Sequence, residues 1–304
     1  MVKSASIKFA GTKRDFVATL NERVNGYFKT NNISRQGNYQ MVIKTIFMFL
    51  LYLVPYFLVV TSTITGIPGL LLMAILMGLG SAGIGLSVMH DANHGAYAKK
   101  AWVNDLIGYS VNLLGVTAFT WKIQHNVLHH TYTNVHEEDE DISPRGALRF
   151  SPHSKWKKMH KYQFIYAWFL YGLMTLVWLF AKDFSRLRKY QKNGLIKSQK
   201  GNYAKEWAIL VVTKLFYVSY AFVLPLVLTS LPWWQILSGL VIMHYLAGFV
   251  LAIIFQPAHV IDGTEFPLPD ETRVMENNWA VHQLLTTTNF GNNSKWFSWY
   301  VGGL

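Results

Sequence analysis

Residues 41–89 read MVIKTIFMFLLYLVPYFLVVTSTITGIPGLLLMAILMGLGSAGIGLSVM, two apolar runs joined by little more than TGIPG. Each run, Met41–Ile64 and Ile67–Met89, reaches the ~20 residues a helix needs to cross the hydrocarbon core of a bilayer. Gly and Pro in so short a joint mark a tight turn, so the pair reads as a transmembrane hairpin. Trp207–Ser230 and Trp233–Phe255 repeat the arrangement around SLP, with Trp207, Trp233 and Trp234 at segment ends, where interfacial tryptophans are favoured. Pro55 and Pro225 fall inside the runs, where a membrane helix accepts them at the cost of a kink. The chain has 304 residues, 51% hydrophobic and 14% charged, against roughly a quarter charged in an average soluble domain. The expected fold class is therefore an all-α membrane protein of two transmembrane helical hairpins, four spans in all, with a cytoplasmic helical cap and interfacial helices.

A fifth apolar segment, Tyr162–Ala181, is followed by KDFSRLRKYQKNGLIKSQKGNYAKE, which holds eight Lys or Arg against two acids. The positive-inside rule puts that loop in the cytoplasm, and the basic first forty residues with it. A hairpin returns the chain to the side it left. Tyr162–Ala181 is therefore expected to lie in the interface or to re-enter without crossing. Leu106–Phe119, broken by Asn112 and Gly115, reads the same way. Residues 1–40 read as a cytoplasmic N-terminal segment without an apolar run of the secretory type, and 1–304 as a single domain. Within that segment Phe16, Leu20, Val24 and Phe28 share one helical face, which suits a helix on the membrane surface or one packed on the rest of the protein. The absence of cysteine excludes disulfides, iron–sulfur clusters and thiolate zinc. A net charge of +12 in such a chain points to positive-inside loops and anionic lipid, not to nucleic acid.

The histidines are bunched. HDANH places His90 and His94 directly after the second apolar run, and HNVLHH places His125, His129 and His130 about thirty residues later. Residues four apart share a helix face with Cβ atoms about 5–6 Å apart, near enough for both imidazoles to reach one metal region. In that reading His125 and His129 face the same way and His130 lies on an adjoining face. Four imidazoles saturate a tetrahedral zinc, five or more suit two ions, and imidazole serves zinc, copper, iron and nickel alike. His136, His153, His160 and His244 read instead as interfacial or hydrogen-bonded residues. The acidic run EEDED, Glu137 to Asp141, is a solvated loop or a source of carboxylates, Asp139 or Asp141, that orient metal-bound imidazoles. Asn134 reads as a holder of metal through water or as a helix cap.

HDANH, HNVLHH with its following TYTN, and the late HQLLTTTNF resemble the membrane-bound fatty acid desaturases, most closely the acyl-lipid or front-end branch that includes linoleoyl-CoA Δ6 enzymes. The resemblance runs from about Met41 to the end of the sequence. It implies two non-haem iron ions held by histidines, with O2 as co-substrate, and removal of two hydrogens from a fatty acyl-CoA or acyl-lipid. The ligands it implies are His90, His94, His125, His129 and His130, with His259 of FQPAHV joining them and His282 either coordinating or ordering a loop. It also implies a third box of the form Q-x-x-H-H after a phrase like GGLNF. Here WYVGGL runs to Leu304, so the box is expected beyond it, and the 304 residues alone are expected to hold an incomplete centre with weak or absent turnover. No HPGG haem motif occurs, so electrons are expected from a separate donor, ferredoxin or cytochrome b5, drawn by the basic stretches at Lys155–Lys161 and Lys182–Lys205.

The same histidines would support a fatty acid hydroxylase or a related di-iron lipid oxygenase. A transporter relaying protons through intramembrane histidines is a rival of another class, opposed by the position of the clusters beyond the span ends. A non-catalytic metal-binding membrane protein is a third.

Overall fold

The computed structural model describes residues 7–11, 14–143, 146–291 and 293–302, and their backbone is largely helical, with one two-stranded sheet among them. Gly303 and Leu304, on which the expected third box turns, lie outside the described residues. The chain forms two compact units. One, the histidine unit, holds Met1–Gln36, Ile123–Gln163 and Phe255–Phe290, and the helical unit holds Gly37–Lys122, Phe164–Ile254 and Gly291–Leu304. The helices used below are α1 (Arg14–Thr30), α2 (Tyr39–Val60), α3 (Ile67–Asn93), α4 (Tyr203–Leu228), α5 (Trp233–His259) and α6 (Trp279–Thr286).

Helices α2 to α5 are each long and apolar enough to cross a membrane, and they pair as two hairpins in an integral membrane protein. Their ends differ from the apolar runs for identifiable reasons. The Asn38 side chain accepts from the amides of Gln40 and Met41, and that of Asn202 accepts from the amide of Lys205. These caps start α2 at Tyr39 and α4 at Tyr203, ahead of Met41 and Trp207. At the other end α3 continues past Met89 to Asn93, and α5 past Phe255 to His259. His90 and His259 thus ride on the last turns of spanning helices, not beyond them as expected, because a polar side chain does not interrupt the backbone ladder. Chain reversal after α3 comes at Gly95, whose φ of +73° suits a residue without Cβ.

Within the helical unit α3 is the enclosed helix, with 56% of its apolar window buried against 33% in each of α2, α4 and α5. Small residues permit this. A Cβ on Gly80 would stand 2.7 Å from the Tyr52 amide nitrogen of α2, and one on Gly78 would stand 2.9 Å from the Met243 carbonyl oxygen of α5. Met48, Tyr52, Ile84, Tyr217 and Met243 form the core around that contact. The phenolic oxygens of Tyr52 and Tyr220 lie 2.8 Å apart, and Tyr56 donates to the Tyr220 carbonyl at 2.7 Å, so these hydroxyls are satisfied without water.

The expected interfacial segment is broken. Lys158–Gly172 and Met174–Lys192 meet at 60°, the geometry of a broken span or a re-entrant loop. Past the break, Asp183 is fully buried and accepts from the Thr117 amide at 3.1 Å, Thr120 Oγ1 at 2.7 Å, Trp178 Nε1 at 2.9 Å and Lys214 Nζ at 2.8 Å. Lys214 donates as well to the Gly115 carbonyl at 2.5 Å. A buried ion pair persists where the remaining donors and acceptors are filled in this way.

In the histidine unit, strand β1 (Lys8–Phe9) lies parallel to β2 (Val274–Met275), Lys8 opposite Val274 and Phe9 opposite Met275. Ile7, Val135 and Met275 pack beneath them, and the Phe9 ring stacks on Tyr132. Helix α1 forms as its spacing predicts. Its Phe16, Leu20 and Val24 are 39%, 40% and 42% exposed, so the apolar stripe is not packed away.

Candidate metal centre

The second histidine motif does not form an ordinary helical turn. Residues Ile123–His129 are π-helical, and the His130 amide donates to the His125 carbonyl five residues back at 3.0 Å. Underwinding brings His130, expected on an adjoining face, to the same side as His125. Their ring centroids lie 4.6 Å apart and their Nε2 atoms 3.2 Å apart. His129 stacks on His125 at 5.2 Å and lies 5.2 Å from His130, so the three rings form one cluster.

Carboxylates fix two of these rings. His125 Nδ1 donates to Asp141 Oδ2 at 3.0 Å, and the other Asp141 oxygen is held by Gln124 Nε2. His129 Nδ1 donates to Asp139 at 2.9 Å, with both side chains wholly shielded from solvent. Asp139 accepts also from the amides of Asn134 and Asp141, each at 2.9 Å. Burial opposes the charged form of His129, yet the Asp139 carboxylate outweighs it by charge and hydrogen bond, with help from Asp141, and holds the ring above the ordinary histidine range.

At the end of α5, the His259 ring meets His129 edge-on with centroids 4.6 Å apart, and its Nδ1 donates to the Thr286 carbonyl at 3.2 Å. Phe255, one turn earlier, lies 5.2 Å from His129 and 5.3 Å from His259 and gives the cluster an apolar wall. Asn134, at φ +59°, donates through its side chain to the carbonyls of His259 at 2.8 Å and Glu265 at 3.0 Å. His282 points its Nε2 at the Thr133 carbonyl, 2.8 Å away, and meets the Phe9 ring edge-on. Burial holds His282 below the ordinary histidine range, against the pull of that carbonyl and of Asp139 and Glu265.

In the helical unit, His90 and His94 stand one turn apart at the end of α3, with ring centroids 4.6 Å apart. Trp121 presents its edge to both, at 5.8 Å and 6.0 Å, and His90 Nδ1 lies 3.1 Å from Asp91.

The donor set fits a metal. His129 Nε2 is buried with no hydrogen-bond partner, while its Nδ1 is pinned by a carboxylate, the arrangement of a carboxylate–histidine–metal triad. The bond from His125 Nδ1 to Asp141 turns its Nε2 toward His130 Nε2, 3.2 Å away. Two imidazoles bound to one ion at about 2.1 Å would bring their nitrogens to about that separation. One ligand atom from each of His125, His129 and Asp141 lies within 4.8 Å of the others.

The family model described as fatty acid desaturase matches residues 65–304. The chain belongs to the fatty acid desaturase family. The sn-1 linoleoyl-lipid 6-desaturase of Synechocystis sp. is 33% identical over 308 residues, covering 100% of this chain and 84% of the relative. The enzyme of the same name from Arthrospira platensis is 33% identical over 309 residues, covering 100% and 81%. An acyl-lipid (8-3)-desaturase of Physcomitrium patens is 34% identical over 305 residues, covering 99% of this chain and 62% of the relative. No solved structure matches the chain.

As a desaturase, the protein is a membrane oxidoreductase of fatty acyl lipids, and its histidine clusters are compatible with a metal centre. Sequence reasoning missed Gln124 and the Thr286 carbonyl, which hold Asp141 and His259. The Thr286 carbonyl has no sequence signal, since a backbone acceptor is common to every residue, and the Gln124 side-chain amide is not a metal-ligand type that spacing would single out. His153 and His160, by contrast, bond to the carbonyls of Phe266 and Gly146.

Proposed function

We propose that residues 1–304 belong to a desaturase domain that uses O2 and two electrons to remove two hydrogens from adjacent carbons of a lipid-linked fatty acyl chain, releasing two waters as two protons are taken up. His90, His94, His125, His129, His130 and His259 would hold two iron ions, with Asp139 and Asp141 orienting His129 and His125 by accepting their Nδ1 protons. The iron, when bound, supplies the O2 activation that lets an unactivated C–H bond be broken. The chain's own contribution is to fix each imidazole before the metal arrives and, through Phe255, to keep water from His129 and His259. Asn134 and His282 order the surrounding loops. The observation that supports this best is His129 Nε2, a nitrogen buried with no partner while a carboxylate grips the other side of the ring.

The names of the relatives, linoleoyl-lipid and acyl-lipid desaturases, favour a lipid-linked substrate over acyl-CoA. A separate donor, ferredoxin or cytochrome b5, would supply the electrons. The exposed cations Arg188, Lys189, Lys192, Lys197, Lys200 and Lys205 suit an acidic carrier and, by the positive-inside rule, a cytoplasmic active site. The test is gas chromatography with mass spectrometry of cell lipids after expression of the full-length protein. An acyl product lighter by two hydrogens is expected. A hydroxylated product would replace desaturation with hydroxylation.

A further inference from the structure

Asn134 touches both halves of the histidine cluster from one position. Its main-chain amide donates to Asp139 Oδ2 at 2.9 Å, and Asp139 in turn grips His129. Its side-chain Nδ2 donates to the carbonyl of His259 at 2.8 Å, to that of Glu265 at 3.0 Å and to that of Thr286 at 3.4 Å. Thr286 is itself the acceptor for His259 Nδ1. The side chain thus ties the end of α5, the loop after it and the end of α6 to the turn that follows HNVLHH.

Three carbonyls around one amide fix which way it points. Rotating Oδ1 into that place would set four oxygens against one another. Oδ1 is accordingly left buried with no partner, and the residue as a whole is 0% exposed. The backbone demands a special residue too. At φ +59° a β-branched or bulky side chain is strained, whereas Asn and Gly accept the left-handed region.

We propose that Asn134 is the positioning residue that sets His129 and His259 relative to each other. This rests on the reading of those two histidines as metal ligands. Its backbone conformation aims the amide at Asp139, and its side chain holds the carbonyl of the residue bearing the second imidazole. Neither contact requires a bound ion, so the pair is placed before metal enters.

The experiment uses the full-length protein in detergent, stripped of metal and titrated with cobalt(II) as the spectroscopic probe. Asn134→Gly keeps the left-handed backbone and removes only the amide. Asn134→Asp keeps the shape but offers carboxylate oxygens to three carbonyls. Both variants are expected to bind cobalt about ten- to a hundred-fold more weakly, with an altered visible d–d spectrum, while Asn134→Gly keeps its melting temperature within a few degrees. Parental affinity and spectrum in Asn134→Gly would overturn the proposal. Parallel loss of melting temperature and binding in both variants would overturn it in favour of a purely structural role. His129→Ala and His259→Ala, titrated alongside, separate the two readings. If neither changes cobalt binding, the ligand assignment fails, whereas loss in these two with none in Asn134→Gly sinks only the role of Asn134.

Discussion

His129 Nδ1 lies 2.9 Å from Asp139 Oδ2, and neither side chain is exposed to solvent. A carboxylate so placed sets the tautomer and the direction of the ring before any ion is present. Replacing Asp139 with Asn keeps the volume but removes the charge that strengthens His129 as a donor. Asp139→Asn is therefore expected to lower metal affinity about ten- to a hundred-fold, read as metal retained after dialysis against a graded chelator. Parental retention would count against a role for the carboxylate.

The second buried pair, Lys214 and Asp183, has nothing to do with metal and is testable by stability alone. Removing one partner leaves the other charge buried and unpaired, a loss of about 3–5 kcal/mol. Lys214→Met and Asp183→Asn are each expected to destabilise by that order, and the double variant by less than the sum of the two. Unfolding in detergent, arranged as a double-mutant cycle, reads the coupling.

Gly80 and Gly26 make a contrasting pair. At Gly80 an added Cβ meets the Tyr52 backbone at 2.7 Å, which cannot move without parting α2 from α3. Gly80→Ala is expected to cost about 1–3 kcal/mol. Around Gly26, in the middle of α1, nothing lies within 4 Å of the added atom, and Gly26→Ala should stabilise by about 0.4–1 kcal/mol. Melting temperatures moving in opposite directions check both.

Asp270 provides a pH test away from the histidines. Its carboxylate accepts from the amides of Val274 and Thr272 and from the Thr272 hydroxyl, and these bonds hold it below the ordinary aspartate range. A depressed folded value means that its stabilisation is present above the unfolded value of about 3.9 and is lost as pH falls through the folded one. The difference in melting temperature between parent and Asp270→Asn should thus be constant near neutrality and shrink toward zero in acid. A difference that grows on acidification would reverse the sign.

The two hairpins were legible because apolar run length alone decides them, and caps that shift an end by a few residues do not change the count. Asn38 and Asn202 were readable cap signals, overlooked because the runs were traced by hydrophobicity. The acidic run announced carboxylates and offered Asp139 or Asp141 as partners of imidazole, and the fold adds that both reach one, Asp139 at His129 and Asp141 at His125. Asp183 and Lys214 gave no sign of pairing, since they sit in separate helices, Asp183 as one more charge in a basic stretch and Lys214 as a lone cation inside the apolar run Trp207–Ser230. The π-helical turn was hidden for another reason. HNVLHH satisfies ordinary helical spacing as well, and nothing in its letters signals underwinding.

That turn makes chain length, more than side-chain identity, the quantity under constraint in HNVLHH. His125 meets His130 only because five residues close one loop of backbone. A residue gained or lost between them would rotate one imidazole away from the other, while a substitution on the outer face would leave the meeting intact. The motif is in that sense a ruler, and it tolerates changes of letter better than changes of count.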